Sequence, residues 1–304
     1  MFNKWIKVSK FAYSPKMSIL SWFNPSKKLF SGLFLFLFSL TGLAYSADSL
    51  NILTFNIRFY MASDGENAWP NRKQMVFDLV RFHKADIIGF QEVLPDQWTD
   101  LEAEFSEFDL FGSGRDDGLR KGEATVLAIK KERFSIVKSG HFFLSETPEK
   151  VSPGWDAAFA RPTCWAVVQD KLTQKTILLI NTHFDHVGTT ARKNSGKQIA
   201  DFINHADKNV QVILTGDFNT TLPSGELDGL KKSAVKPAQE LFTGRKYGTK
   251  WSFQGFGLVQ EKDRQLIDYV FLSPDWKVDR MGVLPDSWNG KWPSDHCPVL
   301  VEVK

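Results

Sequence analysis

Cysteine is nearly absent from this chain: its 304 residues hold only Cys164 and Cys297, each in an apolar, strand-like stretch. Two thiols make no disulfide framework, so the fold has to rest on a hydrophobic core, and two buried thiols are expected. No Gly/Ser-rich or Pro-rich linker, no block of like charge and no internal repeat divides the sequence. Those absences argue against a tethered array or a solenoid and for one domain. Acid is missing from the first 47 residues, which carry Lys4, Lys7, Lys10, Lys16, Lys27 and Lys28 and no Asp or Glu before Asp48. Lys27 and Lys28 precede the apolar run "LFSGLFLFLFSLTGLAYSADS", in which Ala44 and Ser46 have the spacing of a signal-peptidase site. A basic start, an apolar middle and small residues at the end predict a secretory signal over 1–47, with an uncleaved N-terminal anchor as the alternative. Met17 is a second candidate start. The expectation is an exported protein, periplasmic or secreted.

Cationic surplus is missing too, once that segment is set aside. The formal charge of +3 rests on its lysines; without residues 1–46 the chain has 32 Lys and Arg against 35 Asp and Glu. A mildly acidic body lacks the broad positive surface that non-specific duplex binding uses.

What is present is an alternation of strand and helix signals over 48–304. "LNILTFNIR" and "DIIGFQEV" read as strands, the second apolar enough to be buried on both faces. Between them, Met75, Val76, Leu79, Val80 and Phe82 recur at helical spacing, and "PDQWTDLEAEF" opens as a helix does. From 108 to 183 strand follows strand. A helix at about 190–206, then "VQVILTGDFN", "LIDYVFL", "KVDRMGVL" and a closing strand complete the pattern. More than eight strands with few helices predict two sheets packed face to face with helices outside.

Polar residues interrupt these strands at their ends: Asn56 in "TFNIR", Glu92 in "FQEV", His183 in "NTHFDH", Asp217 and Asn219 in "TGDFN", Asp268 in "IDYVF", Asp295 and His296 in "SDHCP". Read alone, Ser294-Asp295-His296 is a strand-initiating turn. Taken together, the buried carboxylates would each cost several kcal/mol without a partner, and few basic residues share their segments. A divalent cation neutralises them, and Glu, Asp and Asn oxygens suit magnesium or manganese better than zinc.

The ordered set "N … QE … NTH … GDFN … IDYVF … SDH", running from about Leu50 to Val303, resembles the endonuclease/exonuclease/phosphatase superfamily, in a bacterial branch near the carbon-catabolite-repressor-type RNA exonucleases. The resemblance implies a four-layer α-β-β-α sandwich of two mixed β-sheets. It implies that Glu92 is the principal metal ligand, with Asn56 and Asp295 near the ion, and that Asp217 and Asn219 face the scissile phosphate and the attacking water. It further implies that Asp268 fixes and charges His296, that His183 contacts a phosphate oxygen, and that Glu123 in "KGEATV" holds His183. Whether His296 or Asp217 takes the proton from water stays open.

Weaker candidates have plain alternatives. Arg161 in "FARPTCW" is either a phosphate-binding group or a solvated strand-end arginine. Arg58, Arg115 and Asp116 are pocket residues or turn residues, Asp185 and His186 a second acid–imidazole pair or a loop bond, and "SDGEN" a turn with a faint likeness to a calcium loop. Trp69, Trp98, Trp155, Trp251, Trp288 and Trp292 are either stacking platforms for sugars or single-stranded bases, or packing. The functional expectation is an exported, magnesium-dependent phosphoesterase, monomeric and without an obligate protein partner. Its substrate is a nucleic acid (single-stranded, as for an RNA exonuclease), a sugar phosphate or a phospholipid head group. A phosphate-binding module without catalysis is the alternative of another class; no expected ligand or acid is missing to favour it.

Overall fold

The computed structural model describes residues 49–304; the export signal read over 1–47 lies outside them. Among the described residues no helix is long and apolar enough to cross a membrane.

The elements run β1 (Leu50–Asn56), α1 (Trp69–Phe82), β2 (Ile87–Val93), α2 (Pro95–Glu104), β3 (Phe108–Gly114), β4 (Ala124–Lys130), β5 (Phe134–Phe143), β6 (Pro162–Asp170), β7 (Thr176–His183), α3 (Thr189–Asn204) and β8 (Gln211–Asp217). After these come α4 (Asp228–Lys231), β9 (Lys236–Pro237), α5 (Ala238–Leu241), β10 (Tyr247–Gly248), β11 (Asp268–Leu272), β12 (Val278–Val283) and β13 (Val299–Val303). One sheet has seven strands in the order β10-β12-β13-β1-β2-β4-β3, the other six in the order β5-β6-β7-β8-β11-β9.

Three apolar layers account for the sandwich. Leu50, Ile52, Ile87, Leu179, Ile213, Val270 and Val301 belong to the core between the sheets. Leu53, Phe55, Ile88 and Phe90, on the other face of the first sheet, meet Val76, Phe77 and Val80 of α1 and Leu101 of α2. On the outer face of the second sheet, Leu178, Ile180 and Leu214 meet Ile199, Phe202 and Ile203 of α3. Successive strand residues point to opposite faces, so central strands buried on both sides need a nearly unbroken apolar run, as the sequence of β2 predicts and as β7 and β8 also show. The result is the expected four-layer α-β-β-α arrangement.

The α1 stripe differs by a step from its prediction. Phe77 is buried, whereas Phe82 ends the helix 78 % exposed. Both cysteines are buried free thiols, as expected, and burial pushes each up to about 12.

Register decides where the polar residues land. Asn56 pairs with Gln91 across the parallel β1–β2 ladder. Asp217 lies opposite His183 across β7–β8 and opposite Asp268 across β8–β11. Antiparallel β13 pairs Val299 with Thr54, which brings the preceding 294–296 segment to the Asn56 end of β1. One end of the sandwich therefore collects all six motifs.

Candidate active site

At that end lies a cleft of about 380 Å³, lined among others by Glu92, His183, Asp217, Asn219, Asp295 and His296. Three of its residues sit in the left-handed backbone region: Arg58 (φ 54°), Glu92 (φ 62°) and Asn219 (φ 49°). For non-glycine residues that conformation costs of order 1–3 kcal/mol and collects at functional sites. At Glu92 it coincides with a register shift between β2 and β4, which turns the carboxylate out of the strand into the cleft.

Asn56, fully buried, ties the two sheets' acids together. Its Nδ2 donates to Glu92 Oε1 and to Asp217 Oδ2, both at 2.9 Å, while its Oδ1 accepts from the Arg58 backbone N–H. Asn56 thus stands as a bridge beside the expected metal ligands, with its oxygen turned to the backbone. The Phe59 N–H donates to Glu92 Oε2 at 3.0 Å. Ser294 Oγ donates to the Asn56 carbonyl at 2.7 Å and lies 3.2 Å from Asp295 Oδ1. Burial raises Asp295, and the Glu92 charge raises it further against the pull of His296 and Arg58.

Asp268 and His296 form the expected dyad, Nδ1 to Oδ2 at 2.8 Å, both buried. Ser252 Oγ donates to the same Asp268 oxygen at 2.6 Å. The far nitrogen of His296 lies 3.8 Å from Asp217 Oδ2. Burial works against the imidazolium, but Asp268, Asp217 and Asp295 together hold its pKa well above the usual value. Asp217 is raised to about 7, first by burial and then by the Asp268 charge.

His183 is the reverse case. Burial, then the Arg161 guanidinium beside it, hold it well below the ordinary histidine value. Arg161 Nη1 is 3.1 Å from its Nδ1. A guanidinium only donates, and so does the Asn219 Nδ2 amide, 3.0 Å from Nε2, so a donor faces each ring nitrogen. The same Asn219 Nδ2 donates to the Phe184 carbonyl at 2.9 Å, and His183 Nε2 lies 3.5 Å from Asp217 Oδ2.

One expectation changes here, and one open alternative falls. Glu123 does not hold His183: it pairs with Arg115 Nη1 at 2.7 Å across the turn that joins their backbones. Burial and the nearby Glu92 raise it to about 7, and the His183 partner is Arg161. Arg161 itself is not solvated but 4 % exposed, with Nε on Asp185 at 3.4 Å. Arg58 and Arg115 do line the cleft, and Asp64 of "SDGEN" is the partner of Arg58. None of the six tryptophans lines it. Trp69 and Trp98 are buried, and Trp251 and Trp292 pack edge to face at 6.3 Å. The aromatic rings of the cleft are Phe59, Phe159 and Phe253, which the sequence did not single out. Nor did it point to Arg72, fully buried beneath the site, whose guanidinium bonds the carbonyls of Ile57 (2.5 Å), Arg58 (2.7 Å) and Pro293 (2.8 Å). An arginine inside an amphipathic helix reads as surface; its burial depends on loops far away in sequence.

The donor chemistry fits a hard divalent cation. Ligand atoms of Glu92, Glu123 and His183 lie within 4.8 Å of one another. Asp295 adds a further buried carboxylate, whose ionisation the Glu92 charge opposes. A second group, Asp217, Asp268 and His296, is as close. There Asp268 already engages the imidazole through Nδ1.

Comparison with known proteins agrees with this geometry. The sequence profile described as the Endonuclease/Exonuclease/phosphatase family matches residues 53–296. The structure is similar to an endonuclease/exonuclease/phosphatase from Bacteroides vulgatus, with 35 % identity and a TM-score of 0.80 over 84 % of this chain and 98 % of that one. It is similar to a mannosyl-6-phosphatase of Bacteroides thetaiotaomicron, with 33 % identity and a TM-score of 0.79 over 84 % and 99 %. A D. rerio TDP2 solved with a single-strand DNA product shares the fold, at 16 % identity and a TM-score of 0.70 over 84 % and 99 %.

Proposed function

The chain belongs to the Endonuclease/Exonuclease/phosphatase family, and on that premise we propose that it is a magnesium-dependent phosphatase of small, hydroxyl-rich phosphate esters, of the sugar-phosphate class. The observation that carries the reading is the cleft itself. At about 380 Å³ it is at the small end of ligand clefts, which run to roughly 1,000 Å³. Each of its phenylalanines already has a partner group against it: Arg58 4.3 Å over Phe59, Arg115 4.2 Å over Phe159, and His296 5.0 Å from Phe253. Single-stranded nucleic acid is bound by stacking bases on open ring faces, and the ring faces here already carry a guanidinium or an imidazole. The likeness to a mannosyl-6-phosphatase at 33 % identity supports the same choice.

Glu92 and Asp295 are the residues that would hold the ion, with manganese as a substitute. When bound, it neutralises charge on the phosphoryl oxygens. The chain's own groups do the rest. Asp217, oriented by Asn56 and by the Asn219 N–H at 2.9 Å, accepts the proton of the attacking water. His296, kept cationic by Asp268, donates to a phosphoryl oxygen, and the neutral His183 contacts another. Two histidines with opposite pKa shifts in one cleft separate those roles.

The test is parallel turnover by purified protein with magnesium on a hexose 6-phosphate, p-nitrophenyl phosphate, single-stranded RNA, single-stranded DNA and sphingomyelin. Phosphate release from the hexose phosphate should exceed cleavage of either oligonucleotide by at least about tenfold in kcat/KM. The reverse order would return the protein to the nuclease reading.

A further inference from the structure

One wall of the cleft is built more tightly than phosphate binding requires. Asp185 Oδ1 accepts from the N–H groups of Val187 (3.0 Å) and Gly188 (2.9 Å), while Oδ2 accepts from Phe159 N–H (3.3 Å) and Arg161 Nε (3.4 Å). Arg192, from α3, donates to the Asp185 carbonyl at 3.0 Å. One buried carboxylate therefore fixes two separate loops against each other. What they present is the Phe159 ring, 44 % exposed, with the His186 imidazole stacked against it at 6.0 Å and 17°.

Arg161 also sets the proton on that imidazole. Its Nη2 is 3.0 Å from His186 Nδ1, and since the guanidinium only donates, Nδ1 accepts and the ring proton lies on Nε2. His186 is exposed and lines the cleft, and no group among the described residues bonds its Nε2. One arginine thus contacts two histidines. His183 faces Asp217 and the reaction; His186 faces the space beside it, where the rest of a phosphate ester must extend.

We propose that His186 is a specificity-determining residue: its Nε2–H bonds a hydroxyl of the group esterified to the phosphate, with the edge of Phe159 against the apolar side of that group. The inference rests on the sugar-phosphate reading above and extends it to a leaving-group subsite. A nucleobase is disfavoured because Arg115 lies over the Phe159 ring and His186 stacks against it. A site that presents one oriented donor beside an apolar edge selects polyols, and an analogue without the hydroxyl leaves that donor unpaired.

The experiment compares wild type, His186→Ala and His186→Gln on a hexose 6-phosphate, its monodeoxy analogues and p-nitrophenyl phosphate. The ratio of kcat/KM for hexose phosphate over aryl phosphate should fall at least about tenfold in His186→Ala, mainly through KM, and recover in part in His186→Gln, which keeps a donor. One deoxy analogue should lose as much with wild type, and no more with His186→Ala. Equal losses on sugar and aryl phosphates would overturn the proposal, because His186 would then serve the wall or the chemistry. An unchanged ratio would overturn it too. Wild-type protein that cleaves aryl phosphate but no hexose phosphate would remove the sugar-phosphate reading and this inference together. Sugar turnover indifferent to His186 removes the inference alone.

Discussion

If Asp268 charges and orients His296, removing either should disable the same device, so the losses should not add. The Nδ1–Oδ2 distance is 2.8 Å and both groups are buried. Opposite charges about 4 Å apart at an effective dielectric near 20 attract by roughly 4 kcal/mol, and stripping one partner from a buried pair costs about 3–5 kcal/mol. At about 1.4 kcal/mol per factor of ten, that is a loss of roughly 10²–10⁴ in rate. His296→Ala should lie at the upper end. Asp268→Asn should lie lower, because the amide can still position the ring and Asp217 still faces its other nitrogen at 3.8 Å. The double variant should be little worse than His296→Ala, giving a coupling energy close to the Asp268→Asn effect itself. The assay is kcat/KM at saturating magnesium for the four proteins, with circular dichroism to show that each remains folded. Fully multiplicative losses mean separate roles for the two residues, and the dyad is then wrong.

Glu92→Gln removes charge but hardly any volume, so it should cost at least about a hundredfold in activity and abolish the rise in Tm on adding magnesium; wild-type turnover at limiting magnesium, or activity untouched by a chelator, would show that Glu92 is not the ligand. A pH dependence follows from Asp217 and Glu123, both raised to about 7 from unfolded values near 4. Metal-free folded protein then holds protons that the unfolded chain has released, so its stability falls as pH rises through 7. His296, also raised, acts in the same sense; His183, lowered, acts below its unfolded value of about 6.5. In chelator, Tm should be lower at about pH 8.5 than at about pH 6.5, and magnesium should restore more of it at the higher pH; a rise in Tm across that window contradicts the assignment. We also propose export: protein recovered from the periplasm or medium should begin between Tyr45 and Asp48, and an intact N-terminus in the membrane fraction favours the anchor instead.

The strand pattern and the six motifs were legible because each is local. A two-residue period, an apolar run or an acid at a strand end can be read in a short window. What was not legible depends on partners far away in sequence. Glu123 and Arg115 meet across a turn, whereas the partner of His183 comes from another loop, and no spacing rule chooses between them. Phe159 gave no signal, since an aromatic before a strand reads as packing until its exposure is known. Of the two readings left open for the tryptophans, packing holds for Trp69 and Trp98, which fill the layer under α1 and α2.

The motif residues beside the acids explain why the site is rigid. Gln91 precedes Glu92, and Asn181 lies two residues before His183, in opposite sheets; Gln91 Nε2 donates to Asn181 Oδ1 at 2.7 Å between them. Asn181 Nδ2 bonds the carbonyls of Phe90 (2.8 Å) and Val126 (3.0 Å) in the facing sheet, and Thr215, two residues before Asp217, donates to Asn181 Oδ1 at 3.1 Å. The sheets come so close that a Cβ on Gly89 would lie 2.1 Å from Thr215 Oγ1. Sheets packed by side chains alone stand roughly 10 Å apart and can slide with every change of core volume. A buried polar clasp directly below Glu92, His183 and Asp217 fixes their separation instead, because breaking it leaves buried amides unpaired at about 1–3 kcal/mol each. On the function proposed above, that is why a polar pair persists inside an otherwise apolar layer: the proposed metal ligand from one sheet and the proposed base from the other must hold their spacing to within about half an ångström.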